Sequence, residues 1–192
     1  VYRIANGRRE KIVSIGLNFG AYFHYGDDKI LWTEYSQHPR RVNVTYSDIY
    51  CYDVKTGKKK KITRRGKYFS PVLSVDGYSI FAINVSEIQQ CEIHRLDIAT
   101  GVIQAKTVFG DDEFVSRLSV TDEDAVVYNL KRDQNLGLYL YDFRSGETRK
   151  LTPRTAHVID APRVAGDYVY YSASFSGLDN IYRSPLDGSL FV

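Results

Sequence analysis

Three phrases recur along the chain at nearly fixed intervals. They are Ile49-Tyr50-Cys51-Tyr52-Asp53 running to Gly57, Ile93-His94-Arg95-Leu96-Asp97 to Gly101, and Leu138-Tyr139-Leu140-Tyr141-Asp142 to Gly146. Each is an apolar run closed by Asp, then a polar turn in which the residue before Gly is Thr or Ser. A fourth copy, Ile181-Tyr182-Arg183 to Asp187-Gly188, and a degenerate first, Val1-Tyr2-Arg3-Ile4 to Asn6-Gly7, place successive glycines 50, 44, 45 and 42 residues apart. A period of this size marks an array in which each repeat is one supersecondary unit that buries its apolar faces only against its neighbours. Four short strands fit one period. In the clearest copy they run from Phe69 to Val75, Tyr78 to Asn84, Glu92 to Asp97 and Val102 to Val108, with Asp76-Gly77 as the first hairpin turn.

The reading is therefore all-β, a β-propeller segment of about four four-stranded antiparallel blades forming a single unit over 1–192. The blades fall at 17–63, 64–108, 109–152 and, in part, 153–192, with 1–16 as the end of a preceding blade. Runs such as Val126-Val127-Tyr128 and Tyr168-Val169-Tyr170-Tyr171 are apolar without alternation, as strands sandwiched between neighbouring blades require. One segment competes. Ser86 to Leu96 has Ser86 three residues before Gln89, and Ile88 and Cys91 at helical spacing, but the repeat register assigns a loop and a strand there.

With 43% hydrophobic and 14% aromatic residues, the chain has enough apolar surface to fold. No run approaches the 18 or so apolar residues of a membrane-spanning helix, so no membrane insertion is expected, and the first twenty residues lack the order of a signal peptide. The chain holds no Met and opens in strand-like sequence, from which a partial region of a longer protein is expected.

The net charge of +3 hides a cluster, since eight of the thirteen residues from Lys55 to Lys67 are basic and none is acidic. Elsewhere acids outnumber bases, which excludes a general nucleic-acid binder. Lys58 to Lys61 fall on an outermost strand, where Lys commonly guards an open edge. Arg64, Arg65 and Lys67 fall on the loop from a fourth strand to the next first strand. Arg40 and Arg41 fall, with His38, in the long stretch from Tyr35 to Tyr46, read as a loop between second and third strands. Both loop types emerge on one propeller face, so the five cations are expected to converge there, with Tyr35 and Tyr68 as apolar anchors. The candidate binding set is Tyr35, His38, Arg40, Arg41, Arg64, Arg65, Lys67 and Tyr68, and the expected partner is an acidic protein or an anionic glycan.

Signatures of chemistry are missing. There is no G-x-S-x-G, H-E-x-x-H, G-x-G-x-x-G or phosphate loop, so no catalytic residue and no cofactor is assigned. His24 falls on an innermost strand and His157 just before one, too few to line a channel metal site. Asp111-Asp112-Glu113 and Asp122-Glu123-Asp124 lack a calcium-loop spacing, and no metal is assigned. Cys51 and Cys91 read as packed free thiols.

Ser70-Pro71-Val72-Leu73-Ser74-Val75-Asp76-Gly77-Tyr78, followed by Asp97-Ile98-Ala99-Thr100-Gly101 and the closes Ile62-Thr63 and Leu151-Thr152, resembles the TolB-like (PD40, WD40-like) β-propeller repeat across nearly the whole chain. The third copy departs from it, with Arg117 in place of Pro and Thr121-Asp122-Glu123-Asp124 in place of Asp-Gly, which puts its first hairpin in doubt. Trp32-Thr33-Glu34, Lys67-Tyr68-Phe69-Ser70-Pro71 and the run from Ser172 to Tyr182 are similar to the propeller region of large, mostly uncharacterised Gram-negative envelope proteins. The resemblance implies a non-catalytic binding module in the periplasm or cell envelope, and not an enzyme. Its alternative is the gating or substrate-docking propeller of a peptidase or polysaccharide lyase whose catalytic residues lie elsewhere. Four blades do not close a ring easily, so self-association through open propeller edges, or a longer parent chain, is also expected.

Overall fold

A computed structural model describes residues 1–18, 22–122 and 124–189. Strands are the only regular elements among them. A hairpin, β1 (Tyr2–Ala5) and β2 (Arg8–Lys11), precedes four sheets. The first is β3 (His24–Gly26), β4 (Lys29–His38), β5 (Arg41–Asp53) and β6 (Lys58–Lys61). The second is β7 (Tyr68–Leu73), β8 (Ser79–Val85), β9 (Cys91–Asp97) and β10 (Ile103–Val108). The third is β11 (Phe114–Val120), β12 (Ala125–Arg132), β13 (Asn135–Asp142) and β14 (Thr148–Lys150), and the fourth is β15 (Ile159–Ala165), β16 (Tyr168–Ala173) and β17 (Asn180–Pro185). Every sheet is an antiparallel meander in chain order, so each is a propeller blade.

The repeated glycines explain the regularity. Gly57, Gly101 and Gly146 all occupy the turn from third to fourth strand, at φ of +68°, +75° and +74°. Their amides donate to the carbonyls of Asp53, Asp97 and Asp142 at 2.9, 2.8 and 2.9 Å. The same aspartates accept with Oδ1 from the amides of Thr56, Thr100 and Arg144, so the Asp-x-x-Thr-Gly phrase folds itself. The first hairpin of the third blade does form: Asp124, at φ +61°, takes a left-handed position, and the Thr121 amide donates to Ala125. Glu123 of that acidic cluster lies outside the described residues. Ser86 to Gln90 is a turn closed by Gln89 N to Ser86 O and Gln90 N to Ser86 Oγ, with β9 following it and no helix.

Alternate residues of each second strand serve different seams. Ile80 and Ala82 of β8 pack toward the first blade with Leu31, Ile49 and Leu96, while Phe81 and Ile83 pack toward the third with Val126, Tyr128 and Leu130. Ala125 and Val127 of β12 turn the other way, onto Val169, Tyr171 and Ala173 of the fourth blade. Trp32, fully buried, packs on the remaining side of the first blade against Val13 and Ile15. This two-sided burial is why the strands lack alternation in the sequence. The innermost strands share a second device: the register slips at Ser70-Pro71, at Ser116-Arg117 and at Ala161-Pro162, a bulge at the same place in three blades.

Candidate functional site

The stretch Tyr35 to Tyr46 is not a loop. It belongs to a hairpin in which β4 and β5 continue past their own sheet, turning at Pro39-Arg40. His38 therefore ends a strand, where its Nδ1 accepts the Arg40 amide at 3.1 Å and its ring lies 6.1 Å from that of Tyr46. Register places Arg41 opposite His38 and Thr45 opposite Gln37, so residues 42–44 form a bulge and the tip is short.

The second part of the rim is shaped by Asp48. This side chain is buried on β5, and it receives the amides of Arg65 at 3.1 Å and Gly66 at 2.9 Å, the Thr63 hydroxyl at 3.2 Å and the Lys61 ammonium at 2.8 Å. Four donors on one carboxylate fold the chain from β6 into β7 and hold Arg64, Arg65 and Lys67 outward. Lys67 is tied by a parallel bridge to Ser47, which stands opposite Tyr35. From there to Arg41, opposite His38, is three residue steps of β4, about 10 Å. Arg40, Arg41, Arg64, Arg65 and Lys67 thus lie exposed at one end of the first blade.

The anchors differ from expectation. Tyr35 is half-buried, its ring 6.5 Å from Phe69, while Tyr68 is 7% exposed and is not a surface anchor. As the first residue of β7 it is drawn into the seam between the first and second blades, with its hydroxyl 3.2 Å from His94 Nδ1. His94 Nε2 in turn lies 2.5 Å from Glu92, which Lys106 also reaches at 3.0 Å. All four groups are satisfied if His94 accepts the Tyr68 proton at Nδ1 and donates through Nε2. Burial pushes the Tyr68 phenol up to about 12, helped by the charges of Glu92 and Asp48. Burial also opposes ionised Glu92, but the bonds from His94 and Lys106 outweigh it and hold that carboxyl below its ordinary value.

The basic run divides by partner. Lys59 pairs with Glu34 at 2.5 Å and lies over the rings of Trp32 and Tyr50, Lys61 pairs with Asp48, and Lys60 reaches the Ala99 carbonyl of the next blade. These lysines join strands. Arg40, Arg41, Arg64, Arg65 and Lys67 have no ion-pair partner among the described residues.

Beside the rim, where the innermost strands begin, lies a cavity of about 510 Å³ lined by Tyr22, Tyr35, Phe69, Ser116, Arg117 and Asp160, among others. Arg117, at the bulge position that holds Pro71 and Pro162 in neighbouring blades, donates Nε to Asp160 Oδ1 at 2.9 Å and Nη2 to Oδ2 at 3.2 Å. Its guanidinium stacks 3.7 Å from the centre of the Tyr22 ring, tying the first, third and fourth blades together. The fork holds Asp160 below the usual carboxylate range. Sequence reasoning noted Arg117 as a departure from the repeat without a partner; the charged Asp160, where the other blades carry Phe69 and Val115, was the missing signal.

His157 is exposed against the Phe175 ring, and among the described residues no three His, Cys, Asp or Glu side chains stand close enough to hold a metal ion. His24 is lowered to about 4, first by burial and then by Arg163. Its folded value lies below its unfolded one, so the unfolded chain takes up the proton first and stability falls as the pH drops from about 6.5 toward 4. In urea unfolding at pH 7.5 and pH 5, His24→Gln is expected to lose about 2 kcal/mol less across this interval than the parent. Equal losses would remove His24 from the acid response.

No family model and no curated protein matches the chain. Solved structures do. TolB from Agrobacterium tumefaciens superposes with a TM-score of 0.68 at 19% identity, over 88% of this chain and 58% of that one. TolB from Acinetobacter baumannii gives 0.59 at 19% identity over 94% and 46%, and an oligogalacturonate lyase in complex with manganese gives 0.60 at 14% over 85% and 48%. The chain spans about half the length of these structures. With its meander blades, Asp-x-x-Thr-Gly turns and these superpositions together, the chain has the fold of a β-propeller segment, similar to that of the TolB structures.

Proposed function

We propose that this propeller is a non-catalytic docking module of a larger bacterial envelope protein, acting in the periplasm or cell envelope, and that it captures an anionic partner at the first blade's rim. One observation carries the reading: five exposed cations without ion-pair partners among the described residues gather at one end of a blade whose other lysines are nearly all engaged. Unneutralised charge at a rim steers and holds an oppositely charged surface, with a strength that falls as salt screens it. Each exposed contact contributes at most about 1 kcal/mol, so several must act together.

The test is the double charge reversal Arg41→Glu with Arg65→Glu, titrated against dextran sulfate and against a Glu-rich peptide at 50 and 300 mM salt. Binding is expected to weaken by about 2 kcal/mol, roughly thirtyfold, with Tm unchanged because neither side chain is buried. Equal affinity in parent and variant would reduce these charges to solvated loop residues.

A further inference from the structure

We propose that the rim takes its partner as an added β-strand: an extended acidic protein segment that pairs with the bare outer edge of β5. The proposal rests on the reading of the rim as an anion-binding surface and adds the backbone as the recognising element.

The edge is open for a definable length. β6 pairs with β5 from Tyr50 to Asp53, and the chain then follows the same side, with Ile62 N donating to Ile49 O at 2.8 Å and Ser47 N to Gly66 O at 2.8 Å. At Lys67, bridged to Ser47, the chain turns inward to begin β7. β5 continues to Arg41 with β4 as its only strand partner among the described residues. In an antiparallel pair, alternate residues direct their N–H and C=O groups toward the partner and away from it. Ser47 directs its amide away from β4, to Gly66, so Thr45, two residues farther out, presents its own N–H and C=O to the open side. Such an edge is a template for another strand.

Charge selects the guest. Arg64, Arg65 and Lys67 stand where the native chain leaves the edge, and Arg40 and Arg41 stand at the hairpin tip, about 10 Å away along β4. Acidic residues three or four positions apart on an added strand meet both groups. The bulge at 42–44 and Pro39 end the usable edge, which keeps the guest short. A glycan offers no peptide backbone for Thr45, so the observations favour a protein segment.

The experiment measures binding of the 192-residue protein to an eight-residue peptide of alternating Glu and Thr, to the same peptide N-methylated at alternate residues in either phase, and to dextran sulfate. At least one N-methylated phase is expected to bind tenfold or more weakly than the parent peptide. Thr45→Pro, which deletes the presented N–H without touching the β4 ladder, should weaken the peptide at least fivefold and leave dextran sulfate unchanged. If both N-methylated peptides bind like the parent, or dextran sulfate binds and the peptide does not, strand addition is wrong and the anionic rim stands. If neither probe binds, the rim reading fails and takes strand addition with it.

Discussion

Replacing Asp48 with Ala is expected to destabilise the protein by about 3 to 5 kcal/mol and to abolish the salt-sensitive binding of the rim. The carboxylate is 1% exposed and receives four donors. Its removal strands the Arg65 and Gly66 amides in a partly buried turn and leaves Lys61 without its counter-charge, and breaking such a buried set costs several kcal/mol. The loss of binding has a separate cause: the loop that holds Arg64, Arg65 and Lys67 outward no longer has a template. Asp48→Asn keeps an acceptor and should recover roughly half of the stability. Chemical denaturation of the two variants, beside titration with dextran sulfate, reads both effects. A stability change below about 1 kcal/mol for the Ala variant would show that the turn is organised by something other than this carboxylate.

Two glycines at the same repeat position should answer differently to the same change. Gly146→Ala is expected to cost about 1 kcal/mol, the penalty of a left-handed backbone for an L side chain, because an added Cβ there meets nothing. Gly101→Ala is expected to cost about 3 kcal/mol or more. Its turn docks on the outer strand of the first blade, where an added Cβ would lie well inside contact distance of the Ile62 carbonyl, so the seam itself must shift. Thermal unfolding should place the Gly101 variant some 6 °C or more below the parent. Equal losses at the two positions would mean that backbone conformation, not docking, sets both.

The architecture was legible because it is written as repetition. The aspartate–glycine phrases are local, each closing its turn with its own atoms, and strands buried on two faces announce themselves by their continuous apolar runs. The hairpin extension was read as a loop because Ser36 to Arg41 is polar and solvated on both faces, so neither period appears in its residues. The fate of Tyr68 turns on a tertiary partner, His94, 26 residues away, and the ion pairs of Lys59 with Glu34 and Lys61 with Asp48 join residues that no short window connects. A charge inside the strand entry, Ser47-Asp48-Ile49, was the available clue to the organiser of the rim. The expectation that the cations share one end came from loop topology, although Arg40 and Arg41 sit on a strand hairpin rather than a loop, and the strand edge beside them needed the register.

The seams between blades are chemically unlike one another, although the blades share a pattern. The first joins Ser47 Oγ to the Tyr68 carbonyl and Lys60 to Ala99. The second is closed by aromatic contacts of Phe81 with Phe143 and Phe109 with Tyr128. The third carries Asn129 donating to Ile159 O and Arg117 forked onto Asp160. Repeat chains run the risk that a unit mates with the wrong copy of itself, in cis or in a neighbouring molecule during synthesis. Here the second and third blades each bear an address on both sides. A chimera in which the second and third blades trade places would keep every turn phrase and every strand, yet would set Arg117 against no carboxylate and Tyr68 against no serine, so the order of the units is encoded at their junctions.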